Sequence, residues 1–323
     1  MTVGRKPIVV VGSINMDLVA SAGHIPAIGE TIHGTDFQFQ PGGKGANQAV
    51  AAAMLGYPVQ MIGNVGDDLF GVQLRKELEG AGVNAEHLGI VPGSSGIALI
   101  VVSQAGENTI VVIPGANATV TPELVEQKRE TIRSAGLVLG QLEIPLETVE
   151  HLARVCRQEG VPLILDPAPT RPLPRRLLES IAWFTPNEVE AAFYAGAGSG
   201  AEDASAPDLV AERLREKGVG GIILKLGSRG AFLADPAGHR QMFTPPAVHA
   251  IDTTAAGDAF NGAFAAGLLL WNDPLRSARF ATAAAAASVT RFGAQASMAS
   301  MEEVQDLLKR SDPQWSESSR ADL

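Results

Sequence analysis

Short apolar runs alternate with longer amphipathic stretches along most of the chain. The apolar runs are rich in β-branched residues, which is typical of buried strands, and they predict strands at Ile8–Val11, Val59–Val65, Leu137–Leu142, Leu163–Asp166, Trp183–Thr185 and Gly221–Leu226. The stretches between them predict helices at Ala46–Leu55, Leu69–Ala81, Pro145–Gln158, Glu188–Tyr194 and Pro207–Lys217. This alternation indicates βαβ units and an α/β fold with a largely parallel sheet covered on both faces.

Two segments and the last part of the chain depart from this alternation. Residues 36–40 alternate polar and apolar positions, and residues 97–103 and 109–113 flank a turn, as in a hairpin. Together they predict a small β-element that projects from the main domain and serves as a lid, a dimer surface or a plain surface hairpin. Helices are expected at Gly257–Leu270, Leu275–Thr290 and Met301–Arg310, and the polar residues 311–323 are expected to fray.

Composition and charge exclude several classes of protein. With 25 Lys and Arg against 35 Asp and Glu, the net charge is −10, which disfavours nucleic acid as a partner. No apolar stretch reaches the ~18 residues of a membrane span, and the apolar run at Ile8–Val11 is too short for a signal peptide. We therefore expect a cytoplasmic protein, in which the single cysteine, Cys156, is a core thiol.

Three glycines surround Lys44 in the sequence Gly42-Gly43-Lys44-Gly45-Ala46-Asn47. The segment is not a Walker A loop, because Gly45 stands where Ser or Thr is required. It is either a surface where backbone N–H groups approach a ligand closely or a tight turn from a strand into a helix.

A second small-residue segment, Asp252-Thr253-Thr254-Ala255-Ala256-Gly257-Asp258, precedes a predicted helix. Thr254 is the expected helix cap, and the small residues let backbone amides face an anion at the positive end of the helix dipole. Asp258 in the first turn is either a structural partner of that dipole or a general base beside a phosphate site. The residue types together favour the base.

Other polar residues follow predicted strands. Asn187 and Glu190 have the spacing of a helix capping box, or else they organise Mg²⁺ through its waters. Asn15, Asp17 and Glu143 lie near the carboxyl ends of strands, where open parallel sheets bind ligands. They either converge on a polyhydroxyl ligand or are ordinary loop polarity. The GxGxxA match at 196–201 lacks a preceding buried strand, which argues against a dinucleotide site.

The motifs occur in a recognisable order along the chain: Gly12-Ser13-Ile14-Asn15-Met16-Asp17, the segment 41–49, Gln141-Leu142-Glu143, Thr185-Pro186-Asn187-Glu188, Leu226–Gly230 and the segment 252–258. In this order the chain resembles the phosphofructokinase-B family of sugar kinases from about Ile8 to Leu308. The resemblance implies a three-layer α/β/α domain over residues 1–310. A small β-sheet lid would come from about 17–40 and 96–114, and would also form the contact of a homodimer.

The resemblance also implies an activity, in which ATP phosphorylates the 5-hydroxyl of D-ribose to give D-ribose 5-phosphate and ADP. Asp258 would be the general base, and the implied sugar contacts are Asn15, Asp17, Gly43, Lys44, Asn47, Glu143 and Asp258. The implied nucleotide contacts, including the anion hole, are Asn187, Lys225, Leu226, Gly227, Ser228, Arg229, Gly230, Ala255, Ala256, Gly257 and Thr282. Lys225 and Thr282 depart from the residues usual in the family, which leaves nucleotide preference open.

Two cations follow from the same resemblance. Mg²⁺ would be held through water by Asn187 and Glu190. K⁺ would lie at Asp252, Thr254, Ser288, Arg291, Gly293 and Ser297, with Arg291 limited to its backbone carbonyl. The alternatives are a kinase of the same family that acts on a nucleoside, fructose or a 2-keto-3-deoxy sugar acid, and a non-catalytic sugar-binding protein on the same scaffold.

Overall fold

The computed structural model describes residues 4–196, 206–311 and 315. The strands are β1 (Ile8–Val11), β2 (Asn15–Ala22), β3 (Gly34–Gly42), β4 (Val59–Gly66), β5 (Leu88–Val91), β6 (Gly96–Ser103), β7 (Asn108–Ile113), β8 (Leu137–Gly140), β9 (Leu163–Leu165), β10 (Trp183–Phe184), β11 (Gly221–Lys225), β12 (Ala231–Ala234) and β13 (Arg240–Phe243). The helices are α1 (Lys44–Met54), α2 (Leu69–Gly80), α3 (Pro122–Gln127), α4 (Arg129–Ser134), α5 (Leu146–Glu159), α6 (Arg175–Leu178), α7 (Glu188–Ala195), α8 (Pro207–Glu216), α9 (Ala256–Trp271), α10 (Pro274–Ser288) and α11 (Met301–Ser311).

Nine strands form the central sheet in the order β13-β12-β11-β10-β9-β8-β1-β4-β5. All neighbouring pairs from β11 to β5 are parallel, whereas β12 and β13 add an antiparallel edge. The six predicted strands are confirmed within this sheet. The expectation of a largely parallel sheet is also confirmed, although the short strands β5, β12 and β13 were not predicted.

Alternate residues of β1 supply two separate hydrophobic cores. Ile8 and Val10 pack on one face with α1, α2, α9, α10 and α11, while Val9 and Val11 pack on the other with α3 to α8. This period-two division shows that helices cover both faces of the sheet, as predicted. β1 lies between β8 on one side and β4 on the other, so the edge beyond β1 is a topological switch point, the place where open parallel sheets bind ligands.

Four strands form a second, smaller sheet in the order β3-β2-β6-β7, called the lid sheet below. The alternating segment at 36–40 and the hairpin at 97–113 both belong to it, and β2, which was not predicted as a strand, joins them. One face stays apolar and open to solvent, with Phe37 54% and Val111 55% exposed. Only residues 12–14 connect β1 of the central sheet to β2 of the lid sheet.

Trp315 lies in the segment that was expected to fray, and at this residue the expectation was wrong. Its side chain is 3% exposed and its ring stacks on Phe280, with centroids 6.1 Å apart. The Arg276 guanidinium lies over Trp315 and over Trp271, at 5.4 Å and 4.6 Å from the ring centroids. Apolar burial and cation–π contact therefore hold this residue against α9 and α10.

Three further expectations concern the single cysteine, a membrane span and the GxGxxA match. Cys156 is fully buried in α5, which confirms the core thiol, and burial raises its pKa to about 12. Among the described residues, no helix is both long and apolar enough to span a membrane. The GxGxxA match at 196–201 lies outside the described residues, apart from Gly196, which ends α7 in a left-handed conformation.

Candidate active site

The glycine-rich segment forms a tight turn from β3 into α1. Gly43 caps α1 with a φ of 86°, and a Cβ at this position would lie 2.7 Å from the backbone nitrogen of Asn15. At Gly45 a Cβ would lie 2.7 Å from the backbone nitrogen of Ser13. The turn is therefore pressed directly against the segment that joins β1 to β2, and only glycine fits at these two places.

Glu143, which follows β8, connects this turn to the end of β1. Its Oε2 accepts a hydrogen bond from the Ser13 hydroxyl at 2.5 Å and another from the backbone N–H of Lys44 at 3.1 Å. The carboxylate thus fixes two neighbouring segments and retains lone pairs for a ligand. Ser13 was not singled out from the sequence.

Asn15 is held by a second amide that the sequence analysis missed. Asn117 donates from Nδ2 to the Asn15 Oδ1 at 2.7 Å, while its own Oδ1 accepts from the backbone N–H of Ile14 at 2.9 Å. Since Asn15 has only 3% exposure, this pairing fixes its amide at the first residue of β2. The Asn15 Nδ2 group remains as a donor to a ligand.

Asp17 lies two residues further along β2 and its carboxylate has no hydrogen-bond partner within the described parts of the chain. Burial, together with the charges of Glu143 and Asp258, raises its pKa to about 7. A buried carboxylate without a partner is costly. The Asp17 carboxylate is therefore free to accept a hydrogen bond from a ligand.

Replacing Asp17 with Asn should change the pH dependence of stability. Folding raises the pKa of Asp17 from its ordinary value of 3.8 to about 7, so the folded protein binds more protons than the unfolded chain between these values. Wild-type stability should therefore fall relative to Asp17→Asn as the pH rises through this range, and the difference should level off above about 7. Urea unfolding of both proteins at several pH values measures the difference between their free energies of unfolding. A constant difference would contradict the assignment.

Asp258 lies in the first turn of α9 and is 5% exposed. Its Oδ2 accepts from Asn47 Nδ2 at 3.0 Å and its Oδ1 accepts from Gln48 Nε2 at 2.9 Å, so α1 holds both oxygens. Burial raises the pKa of Asp258, and the charge of Asp166 raises it further, against the lowering effect of Lys44 and the two amides. A raised pKa makes the carboxylate a better proton acceptor.

The N-terminus of α9 differs from the prediction at Thr254. The N-cap residue is Ala255, in a left-handed conformation with a φ of 57°, and no side chain caps the helix. Thr254 instead donates its backbone N–H to Asp252 Oδ1 at 2.9 Å. Among the described residues, the backbone N–H groups of Gly257 and Asp258 have no acceptor, as an anion-binding helix terminus requires. Ala255 stores backbone strain at this point.

Gln48 connects Asp258 to a second carboxylate that the sequence analysis did not identify as a site residue. Its Nε2 also donates to Asp166 Oδ2 at 2.9 Å, and its Oε1 accepts from Gln141 Nε2 at 2.7 Å. This last bond fixes which end of the Gln48 amide faces the carboxylates. Gln48, Gln141 and Asp166 are all buried, so the four side chains form one polar network inside the protein.

Two lysines face these carboxylates. Burial alone would lower the pKa of Lys44, but the surrounding carboxylates outweigh it and raise the pKa above its ordinary value. Lys225 donates to Asp166 Oδ1 at 2.8 Å. Lys44 and Lys225 both line the cleft described next, so a cluster of carboxylates and two cations borders one space.

A cleft of about 620 Å³, called the main cleft below because it borders this cluster, lies between α9, α10, the end of β11 and residues 244–250. Most of the residues expected at a nucleotide line it: Asn187, Lys225, Gly227, Ser228, Gly230, Ala255, Ala256, Gly257 and Thr282. Leu226 does not line it, because its side chain is buried in the core, and Arg229 instead pairs with Glu188. The apolar segment Pro245-Pro246-Ala247-Val248 forms a wall that the sequence analysis missed.

Asn187 and Glu190 form the capping box that was one of the two sequence interpretations. Asn187 accepts from the Glu190 backbone at 2.9 Å, and Glu190 accepts from the Asn187 backbone at 2.8 Å. Both residues also line the main cleft, and burial raises the pKa of Glu190. Each Glu190 oxygen accepts one hydrogen bond and keeps a lone pair, so the box does not exclude contact with a hydrated metal.

Beside the cleft, Asp252 joins two loops. Its Oδ1 accepts from the Thr254 backbone and its Oδ2 from the Gly293 backbone, both at 2.9 Å. Burial alone would raise the pKa of Asp252, but the Thr254 hydroxyl and these two backbone hydrogen bonds outweigh it and lower the pKa. The Arg291 guanidinium pairs with Glu303. The hydroxyls of Ser288 and Ser297 donate to the carbonyls of Ala285 and Ala294, which leaves their oxygen lone pairs free.

Comparison with known proteins identifies similar sugar kinases. The chain is 40% identical over 305 residues to the ribokinase of Bacillus subtilis (strain 168), and the alignment covers 94% of this chain and 99% of that protein. It is 37% identical over 308 residues to the deoxyribokinase of Salmonella typhi, covering 93% and 98%.

The solved structures lead to the same family. The ribokinase of Arabidopsis thaliana, complexed with ribose and ATP, superposes with a TM-score of 0.87 at 36% identity, covering 95% of this chain and 99% of that chain. Residues 5–301 match the description of a pfkB family carbohydrate kinase. The motifs, the sheet order and these matches agree over nearly the whole length, and the chain belongs to the pfkB family of carbohydrate kinases.

Proposed function

We propose that this protein is a ribokinase, which transfers the γ-phosphoryl group of ATP to the 5-hydroxyl of D-ribose. The observation that supports it most is the position of Asp258. This carboxylate lines the main cleft, and its charge is felt at Asp17 on the lid sheet. It therefore stands between a cleft large enough for a nucleotide and a polar pocket suited to hydroxyl groups.

The proposed sugar contacts are Asn15, Asp17, Gly43, Lys44, Asn47 and Glu143. The amides can donate to and accept from hydroxyl groups, and the carboxylates can accept from them. Asp17, whose carboxylate lacks a protein partner in the described chain, would accept a hydroxyl hydrogen. The close packing of Gly43 on Asn15 holds this set against the end of β1.

In the proposed reaction Asp258 accepts the proton of the 5-hydroxyl as its oxygen attacks the γ-phosphorus. A new O–P bond forms, the bond to the β-phosphate oxygen breaks, and ADP leaves with that electron pair. The free N–H groups of Gly257 and Asp258 and the ammonium of Lys44 neutralise charge on the transferred group. Asn187, Gly227, Ser228, Gly230 and Thr282 would contact the nucleotide.

The site is suited to Mg²⁺ as well. The carboxylates of Asp17, Glu143, Asp166, Glu190 and Asp258 outnumber the ammonium groups of Lys44 and Lys225, so the described site has an excess of negative charge. Asn187 and Glu190 would hold the ion through its waters, in accord with its preference for carboxylates and retained water. When bound, Mg²⁺ would neutralise phosphate charge.

K⁺ is proposed at the loops joined by Asp252. One carboxylate with hydroxyl and carbonyl oxygens suits a hard cation, and Thr254, Ser288, Gly293 and Ser297 offer such oxygens, with the backbone carbonyl of Arg291. The ion would stabilise the loop that leads into α9, and hence the anion-binding N–H groups. Equal turnover in KCl and NaCl would contradict this site.

We also propose that the protein forms a homodimer through the lid sheet. Its proposed location is the cytoplasm, where ATP is supplied. The exposed apolar strand β7, with Ile110 50% and Val112 49% exposed, supports the dimer, because such an edge is normally covered. The chain has a mass of 33.6 kDa. Sedimentation equilibrium should give twice this value, and the monomer mass at all concentrations would contradict the proposal.

A panel assay tests the function. The purified protein is given ATP, Mg²⁺ and K⁺ with D-ribose, 2-deoxy-D-ribose, D-fructose, adenosine or 2-keto-3-deoxygluconate, and ADP release is measured. We expect the highest kcat/KM with D-ribose, with phosphate found on its 5-oxygen by NMR. A higher kcat/KM with another acceptor would identify a different kinase of the family, and release of no ADP would favour the non-catalytic alternative.

A further inference from the structure

Lys225 is the last residue of β11 and extends from the sheet edge into the main cleft. Its side chain is 13% exposed and its Nζ lies 2.8 Å from Asp166 Oδ1, on a carboxylate that is itself 2% exposed. The other oxygen of Asp166 accepts from Gln48. Lys225 and Asp166 thus form a nearly buried ion pair whose acidic member is fixed from both sides.

The ammonium of Lys225 has donors to spare. It has three N–H groups, and within the part of the chain that the structure describes it bonds only to Asp166. It also lies beside the start of α9, since a Cβ at Gly257 would be 3.3 Å from Nζ. Two unused ammonium hydrogens and the free backbone N–H groups of Gly257 and Asp258 therefore border the same part of the cleft.

We propose that Lys225 is a further catalytic residue, a fixed cation that contacts the phosphoryl group during transfer, with Asp166 as its positioning residue. The inference rests on the proposed kinase function and adds a role that a smaller polar residue could not fill. The γ-phosphorus forms a bond to the 5-hydroxyl oxygen while its bond to ADP breaks. During this step Lys225 donates hydrogen bonds to the phosphate oxygens and keeps its proton. A cation held in place before the reaction needs no reorganisation.

The competing explanation is structural, in that Lys225 only neutralises the buried charge of Asp166. Removing one partner of a buried pair leaves an uncompensated charge, which damages a protein without any role in catalysis. The two explanations differ for the double variant Lys225→Met/Asp166→Asn, which removes both charges and retains similar side-chain volumes. A structural role predicts recovery in the double variant, and a catalytic role predicts none.

The experiment compares wild type, Lys225→Met, the double variant and Lys309→Met. Lys309 pairs with Asp306 on the exposed side of α11 and serves as the control for loss of a lysine charge. For each protein, kcat and KM are measured with ATP and ribose. Calorimetry gives the affinities for adenosine and for a non-hydrolysable ATP analogue, and thermal melting reports folding.

We expect Lys225→Met to lower kcat/KM about 10²-fold. The affinity for the ATP analogue should fall about tenfold or more. Adenosine, which has no phosphate, should bind within about twofold of wild type. The double variant should stay equally impaired, and Lys309→Met should match wild type. Recovery of turnover in the double variant, or unchanged affinity of Lys225→Met for the ATP analogue, would overturn the proposal. A wild-type protein that phosphorylates no acceptor would instead refute the proposed function.

Discussion

Asp258→Asn should lower kcat by about 10²-fold or more, while the affinities for sugar and nucleotide change little. The amide cannot accept the proton of the attacking hydroxyl, although it occupies nearly the same volume. One of its two donors, Asn47 or Gln48, then faces an amide N–H instead of a carboxylate oxygen. We therefore expect a loss of stability of about 1 kcal/mol beside the kinetic loss.

Steady-state kinetics with ribose and calorimetric titration of both ligands separate these effects. Asp306→Asn is the matched control, because it makes the same substitution on the exposed side of α11. Turnover of Asp258→Asn within about fivefold of wild type would exclude Asp258 as the base. A loss confined to KM would instead place this side chain among the binding groups.

Gly42→Ala should weaken ribose binding about tenfold or more, because the new methyl group displaces Asp17. A Cβ at Gly42 would lie 2.2 Å from the Asp17 Oδ2 and 2.5 Å from its Cγ. Gly42 has no left-handed backbone conformation, so the substitution acts through this contact rather than through strain. The carboxylate must rotate away from its present position, and the proposed hydroxyl contact is lost with it.

Calorimetry with ribose and with an ATP analogue measures the result, and the nucleotide affinity should be preserved. Gly80→Ala is the control, because a Cβ there meets nothing within 4 Å. Unchanged ribose affinity in Gly42→Ala would show that Asp17 takes no part in sugar binding. Equal losses of both affinities would point to general disturbance of the turn.

The central strands could be predicted because strands buried on both faces are continuous β-branched runs. Strand β2 could not, since Asn15 and Asp17 make its beginning polar and one of its two partners, β6, lies far along the chain. Pairing of this kind depends on tertiary context more than on local propensity. Trp315 was missed for a similar reason, as a single aromatic residue in a polar segment gives no periodic signal.

The same distinction applies to the site. The glycine turn and Asp258 were singled out from the sequence because close backbone approach restricts which residue types can occupy neighbouring positions. The network of Gln48, Gln141 and Asp166 was missed, because polar residues at the ends of ordinary elements become a group only through packing. One signal was available for Asp166, which follows a buried strand just as Glu143 does.

The short connection between the two sheets has a consequence for how turnover is controlled. Asn15 and Asp17 belong to the lid sheet, whereas Asp258 and the unbonded N–H groups at the start of α9 belong to the central body. Any displacement of the lid sheet, which joins the central body at 12–14, Gly43, 92–95 and Pro114, would therefore split the proposed acceptor site. Under the proposed function, ATP that binds while the lid sheet is displaced would meet an unassembled acceptor site, and wasteful hydrolysis would be suppressed.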